Sequence, residues 1–250
     1  MRLSRAAPGW LVHTVETIDS TNSALLRQAQ SGDTRRTVLL ADQQTSGRGR
    51  HGRSWVSTGN HQALTFSLGL ALAPREWSGL SLVVGVIVAE SLHPCVTLKW
   101  PNDLYWQGRK LGGILVETCS IPGSQKERYV VVGVGINMWP APDFDGDVAA
   151  ASVSEWRENP APAELLEAIL SPLTQALQEF AHDGFRPWQH RFATRDALVG
   201  LELELGDGRC GRALGIAEDG SLRIANASGE MRIHSGEFRV RPRLAAQTAS

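Results

Sequence analysis

The texture of the sequence changes near residue 197, and this change limits the fold more than any other feature of the chain. From there on, short segments alternate apolar and polar residues, and the first of them, 201–205, alternates strictly. Asp-Gly or Ser-Gly pairs separate these segments at 207–208, 219–220 and 228–229. Short strands joined by such turns are typical of a small antiparallel barrel. We therefore expect two domains, residues 1–195 and residues 196–250.

The first 195 residues mix helical and extended patterns. A capped pattern from 20 to 31 and a longer one from 163 to 182 predict helices, and Pro172 either kinks or divides the second. Residues 79–92 predict a buried helix, and 139–160 predict a loop with at most one helical turn near 152–156. Strands are predicted at 37–41, 63–68, 96–100, 111–118 and 129–133.

Composition excludes several classes of protein. The 250 residues are 42% hydrophobic and carry a formal charge of −1, so the chain lacks the basic excess of a nucleic-acid binder. Its three cysteines form neither a CxxC pair nor an even disulfide framework, which favours a reducing compartment. The N-terminus has no apolar signal region, and the longest apolar run, 80–92, is shorter than the roughly 20 residues of a membrane span. We expect a cytoplasmic protein without membrane contact.

The strongest local motif is Gly47–Arg53, which reads Gly-Arg-Gly-Arg-His-Gly-Arg. Glycine lets the backbone approach a ligand closely, and guanidinium groups bind phosphate in a two-pronged geometry. The motif therefore indicates a phosphate-binding loop. A flexible basic loop, or a patch that binds nucleic acid, is the alternative interpretation.

A second motif pairs Lys99–Tyr105 with the segment Arg109–Glu117. A strand that ends in a Pro-Asn-Asp turn and returns as a new strand places Lys99, Asn102, Asp103 and Lys110 around one rim. The Gly112-Gly113 pair permits close approach of a ligand to the backbone. The alternative is a plain β-turn in which Asn and Asp cap their own backbone.

Two further motifs are weak when taken alone. Gly133–Asn137 places a Gly-x-Gly after an extended run, which suits the close passage of a nucleotide but lacks the full dinucleotide fingerprint. Ser20-Thr21-Asn22 could hold a ureido or carboxylate group at a helix N-terminus, or it could be only a helix cap.

Taken in chain order, these motifs resemble the biotin–protein ligase family. The resemblance is close from residue 16 to about 138 and looser to about 242, and Lys99–Asp103 with the downstream Lys-Leu-Gly-Gly is its most specific part. It implies an α+β fold: a mixed-sheet catalytic domain of the biotin/lipoate ligase type, similar to class II aminoacyl-tRNA synthetases, followed by a small SH3-like barrel.

The resemblance also assigns expected roles to individual residues. Biotin is expected to contact Ser20, Thr21, Asn22, Gln44, Arg48, Gly49, Arg50, Lys110 and Gly113. ATP is expected to contact Arg48, Arg50, Trp55, Lys99, Asn102, Asp103 and Asn137, with Trp55 near adenine. His51 departs from the family, whose loops commonly carry a second arginine there. In the barrel, Glu237 and Arg241 are expected near the interface with the catalytic domain.

The implied reaction uses ATP and Mg²⁺ to adenylate biotin, and then transfers biotin to a lysine of a biotin carboxyl carrier protein. Lys110, Arg48 and Arg50 are the expected catalytic cations, because two anions must approach each other. Asp103 is expected to orient the acceptor lysine or to accept its proton. An edge strand could pair with the carrier or with a second copy of the chain, so a homodimer stays open.

Three other functions compete with this one. A lipoate or octanoate ligase shares the fold superfamily but carries a different basic motif in this region. A biotin-sensing repressor needs an N-terminal DNA-binding domain of about 60 residues, whereas about 15 residues precede the first motif, so we expect no nucleic-acid partner. A catalytically dead biotin-binding module would be indicated by loss of Lys110, which is present.

Overall fold

The computed structural model describes residues 3–55, 57–140, 150–234 and 240–242. The helices within these ranges are α1 Leu3–Ala6, α2 Thr21–Gln30, α3 Leu80–Leu92, α4 Pro162–Asp183 and α5 Gln189–Ala193. The strands of a first sheet are β1 Leu11–Ile18, β2 Thr37–Gln44, β3 Ser57–Thr58, β4 Ala63–Leu72, β5 Thr97–Lys99, β6 Asp103–Trp106, β7 Arg109–Ser120 and β8 Arg128–Asn137. Those of a second sheet are β9 Glu202–Leu205, β10 Cys210–Ile216, β11 Leu222–Asn226, β12 Gly229–Ile233 and β13 Val240–Pro242.

The first sheet has the strand order β1-β2-β4-β8-β7-β6-β5, with β3 paired to β2. β1 runs parallel to β2 and the other pairs are antiparallel, so the predicted mixed sheet is confirmed. β1 was not predicted from the sequence. It is a half-exposed edge strand that carries His13, Thr14, Glu16 and Thr17, so it has no continuous apolar run to reveal it.

Helices cover both faces of this sheet. α3 is buried along most of its length, as predicted, and packs with α4 against one face. α4 is a single helix that runs through Pro172, so the proline does not divide it. α2 packs on the opposite face, where Leu25 joins a smaller apolar cluster with Tyr129 and Val131. No helix in the described ranges is both long and apolar enough to span a bilayer.

The loop predicted at 139–160 holds one short 3₁₀ turn, Val153–Glu155, within the helical turn predicted there. Residues 141–149 of that loop lie outside the described residues. The same is true of residues 238 and 239, which belong to the strand that the sequence pattern predicts at 238–240.

The second sheet is antiparallel with the order β12-β11-β10-β9-β13, which is consistent with an SH3-like domain. Over the described residues it stays open, because β12 and β13 are both edge strands. The two sheets are joined through the buried Trp100, whose indole Nε1 donates to the Gly220 carbonyl at 3.0 Å. The linker is fixed as well, since Leu98 exchanges backbone hydrogen bonds with Arg195 and Ala197.

Trp100→Phe is expected to lower the free energy of unfolding by about 1–3 kcal/mol, because the Gly220 carbonyl loses its partner in a buried site. Urea unfolding measures the change, and Trp77→Phe is the matched control at a partly buried tryptophan. Equal losses in the two variants would mean that the indole hydrogen bond does not stabilise the junction.

Candidate active site

The N-terminus of α2 builds a buried polar network. Ser20 caps the helix, and its hydroxyl accepts from the Ser23 amide. Gln44 at the end of β2 accepts through Oε1 from the Thr21 amide at 2.7 Å and from the Thr21 hydroxyl at 3.1 Å. Ser20, Thr21 and Asn22 are each at most 3% exposed. The residues predicted for the ureido pocket therefore lie together.

Asn22 is held in one orientation by three neighbours. Its Nδ2 donates to the Leu115 carbonyl at 3.2 Å and to Glu117 Oε2 at 2.9 Å. Its Oδ1 accepts from the Ser67 hydroxyl at 2.6 Å, and that hydroxyl also lies 2.7 Å from Thr21 Oγ1. Ser67 and Glu117 were not predicted as site residues. The polar positions of the alternating segment 63–68 were the available signal for Ser67.

Beside this network, the sheet face carries three glycines of β7 and β8, which together are called the glycine floor: Gly113, Gly133 and Gly135. A Cβ at Gly133 would lie 2.2 Å from Asn22 Oδ1, and a Cβ at Gly135 would lie 2.3 Å from the ring of Trp55. Gly135 pairs directly with Gly113 on β7. Only glycine allows these close approaches, so β8 contributes no side chain to the sheet face between the network and Lys110. Trp55 lies on this floor.

The residues predicted around one rim lie at the other end of the floor, on β5, β6 and β7 and on the turn between β5 and β6. The strand β6, which the sequence did not predict, separates this turn from Lys110. Lys110 Nζ lies 2.7 Å from Asp103 Oδ1, and both atoms lie 3.6 Å from the Cβ position of Gly113. Asn102 Nδ2 donates to the Ile114 carbonyl at 2.8 Å, which fixes the turn. Lys99 Nζ donates to the Tyr105 hydroxyl at 3.2 Å.

The rim is crowded with positive charge. Burial lowers the pKa of Lys99, and Lys110, Arg53 and Arg241 lower it further, whereas the Asp103 carboxylate opposes the shift. Arg241 belongs to β13 of the second sheet, and its charge acts on Lys99 of the first sheet. Glu237 lies outside the described residues. A site with this potential attracts polyanions such as nucleotide phosphates.

Both tyrosines of the chain, Tyr105 and Tyr129, have a pKa raised to about 12, chiefly by burial. Because unfolded tyrosine titrates near pH 10, the folded state keeps these protons longer. Their contribution to stability is complete below about pH 10 and is lost as the pH rises toward 12. We expect the ultraviolet signal of tyrosinate to stay absent from the native protein at pH 10.5. A native titration with a midpoint near 10 would contradict this.

The loop formed by residues 47–53, called the Gly/Arg loop, contacts residues at both ends of the floor. Arg48 Nη2 donates to Glu117 Oε2 at 2.8 Å, the same oxygen that accepts from Asn22. Arg50 Nη1 lies 3.5 Å from Asn102 Oδ1. Burial lowers the pKa of Arg50, and the Asp103 carboxylate opposes that shift. The loop is folded closely, since a Cβ at Gly47 would lie 2.3 Å from the Trp55 carbonyl oxygen.

The remaining predicted residues lie around this centre. Gly49 donates its amide to the Arg53 carbonyl at 2.7 Å, and His51 is exposed in the left-handed region at φ 56°. Asn137, at the end of β8, donates to the Ala151 carbonyl at 3.0 Å. In the described ranges, no group of three or more His, Cys, Asp or Glu side chains could hold a metal ion.

This fold and site match a known class of enzyme. The model of the Biotin/lipoate A/B protein ligase family matches residues 14–137. The biotin–[acetyl-CoA-carboxylase] ligase of Mycobacterium tuberculosis is 34% identical over 88% of this chain and 86% of its own length. The bifunctional ligase/repressor BirA of Escherichia coli is 34% identical over 86% of this chain and 70% of its own length. The structure of the Aquifex aeolicus biotin protein ligase in complex with biotin and ATP has a TM-score of 0.77 at 30% identity, covering 93% of this chain and 99% of that one. The chain belongs to the biotin–protein ligase family.

Proposed function

We propose that this chain forms biotinyl-5'-AMP from biotin and ATP and transfers the biotin to a lysine of a carrier protein. The observation that carries the proposal is the glycine floor, with a network of buried hydrogen-bonding groups at one end and the Lys110–Asp103 pair at the other. From Ser67 to Gly113 the floor crosses two strand spacings of about 4.8 Å and one two-residue step of about 6.8 Å, a diagonal of roughly 12 Å. An extended acid with a polar ring head can bridge that span.

The network suits a ureido group, which has two N–H donors and one carbonyl acceptor. The ureido N–H groups would replace the hydroxyls of Ser67 and Thr21 as donors to Asn22 Oδ1 and Gln44 Oε1. The freed hydroxyls, together with that of Ser20, could then donate to the ureido carbonyl. A plain fatty acid such as octanoate has no head group that could form hydrogen bonds with these groups, which would stay paired with one another as in the free protein. The head group therefore favours biotin over octanoate.

The other end of the floor suits the adenylation step. A carboxylate oxygen of biotin attacks the α-phosphorus of ATP, the new C–O–P linkage forms, and the bond to the β-phosphate breaks to release pyrophosphate. Lys110 is proposed to hold the carboxylate and the α-phosphate, and Arg50 and Lys99 are proposed to contact the other phosphates; the contacts of all three cations at the rim support this. Fixed cations at this point stabilise the charge that develops in the transition state.

Magnesium would enter together with the nucleotide. The described residues offer isolated oxygen ligands at the rim, such as Asp103 and Asn102, rather than a complete cage. This fits an ion that is usually held by one or two carboxylates and by substrate phosphates. When bound, it would neutralise phosphate charge.

In the second step, the neutral amine of the acceptor lysine attacks the carbonyl carbon of the adenylate, and AMP leaves. Asp103 is proposed to take the proton released from this amine, because its carboxylate already lies at the reacting end of the floor. The acceptor is proposed to be the biotin carboxyl carrier part of an acetyl-CoA carboxylase, in keeping with the name of the mycobacterial relative. We propose a cytoplasmic location and no nucleic-acid partner.

The test is intact-mass analysis of a biotin-acceptor domain after incubation with this protein, ATP, Mg²⁺ and equal concentrations of biotin and octanoate. We expect a mass gain of one biotin. An octanoyl gain would place the protein among lipoate-type ligases, and an unchanged mass would reject the transferase activity.

A further inference from the structure

Two buried polar atoms on the glycine floor lack a hydrogen-bond partner. Thr65 is 3% exposed, and its Oγ1 has no partner among the described residues; the same holds for Trp55 Nε1. Buried polar groups are nearly always paired, so an unpaired one needs an explanation. Both atoms belong to one place, because Thr65 pairs with Gly135 on the sheet and the ring of Trp55 lies on Gly135. A ligand on the floor would explain both.

The position of Thr65 on β4 indicates which part of a bound ligand its side chain would contact. It lies two residues before Ser67 on β4, so both side chains point to the same face about 6.8 Å apart. It shares a row with Gly135 and with Gly113, over which the Lys110–Asp103 pair lies. Thr65 is therefore one step from the ureido network toward the carboxylate end.

This inference rests on the proposed function. With the ureido group at Ser67 and Asn22, the second ring of the biotin bicycle falls in the row of Thr65. The heteroatom of that ring is a thioether sulfur, which is a weak hydrogen-bond acceptor. A hydroxyl is a donor that suits it.

We propose that the Thr65 hydroxyl donates to the ring sulfur of bound biotin, which makes Thr65 a specificity-determining residue. It distinguishes the sulfur-containing ring from desthiobiotin, which keeps the ureido group and the acid chain but has no sulfur. The unpaired hydroxyl of the free protein is then part of a site shaped for its ligand.

The test uses Thr65→Val, which has nearly the same shape without the hydroxyl, and Thr65→Ser, which keeps the donor. Binding of biotin and of desthiobiotin to the full chain is measured by calorimetry without ATP. We expect Thr65→Val to weaken biotin binding about 3–10-fold and desthiobiotin binding less than twofold, a modest effect consistent with one net hydrogen bond. Thr65→Ser should bind biotin as the unaltered protein does.

Thermal unfolding of the free protein is the second measurement. Because the Thr65 hydroxyl is unpaired in the fold, Thr65→Val should have an equal or higher Tm. A clearly lower Tm, equal weakening of both ligands, or a loss confined to ATP binding would each overturn the inference. Equal biotin binding by Thr65→Val and by the unaltered protein would also overturn the inference. If the unaltered protein bound no biotin, the proposed function itself would be overturned.

Discussion

Replacing Lys110 by alanine is expected to lower kcat for pyrophosphate release by about 10²–10³-fold, the usual loss when one fixed donor to a developing charge is removed. Lys110 Nζ is held 2.7 Å from Asp103 Oδ1 at the end of the floor where the carboxylate and the α-phosphate meet. Without it, the two anions approach each other with one compensating charge fewer. Biotin-dependent release of pyrophosphate from ATP measures the step directly.

The control for this variant is Lys126→Ala, which removes an exposed lysine from the loop between β7 and β8. It should retain full activity, because its charge lies away from the floor. If Lys110→Ala kept kcat and raised only the KM for biotin, Lys110 would bind the substrate without stabilising the transition state. That result would remove it from the proposed chemistry.

The rim could be predicted from the sequence because its contacts are local. Lys110 and Asp103 are seven residues apart, and the β6–β7 hairpin, which turns at residues 107–108, brings them together. Helices α3 and α4 could be predicted for a similar reason, since their apolar patterns are continuous over many residues. Local patterns determine such elements without knowledge of the sheet order.

The partners of the ureido network could not be predicted in this way. Asn22 meets Glu117 across 95 residues and Ser67 across 45, and these distances close only after β4, β8 and β7 pair in register. Within the sequence, Ser67 is one polar residue of an alternating strand, and Glu117 ends an apolar run. The register of the paired strands places the side chains of Ser67 and Glu117 on the sheet face that α2 covers.

For the Gly/Arg loop too, the sequence alone could not predict which residues its side chains contact. Its composition indicates a phosphate-binding loop, but not which arginine serves which end of the site. In the structure Arg48 reaches the network through Glu117, and Arg50 lies beside Asn102 on the rim. Glu117 Oε2 thus connects the loop to the pocket side chain Asn22.

Asn22→Ala is expected to raise the KM for biotin about 10–100-fold, while the KM for ATP changes less than threefold. The substitution removes the proposed acceptor for a ureido N–H, and it leaves the buried Ser67 hydroxyl without the Asn22 Oδ1 acceptor, a loss of about 1–3 kcal/mol in such a site. ATP is expected to bind at the other end of the floor, so the KM for ATP should change little. Initial rates of pyrophosphate release at varied biotin and then at varied ATP separate the two constants.

Ser23→Ala, one residue along the same helical turn, is the matched control and should leave both constants unchanged. Equal increases in both KM values would mean that Asn22 supports the whole site and does not select the biotin head group.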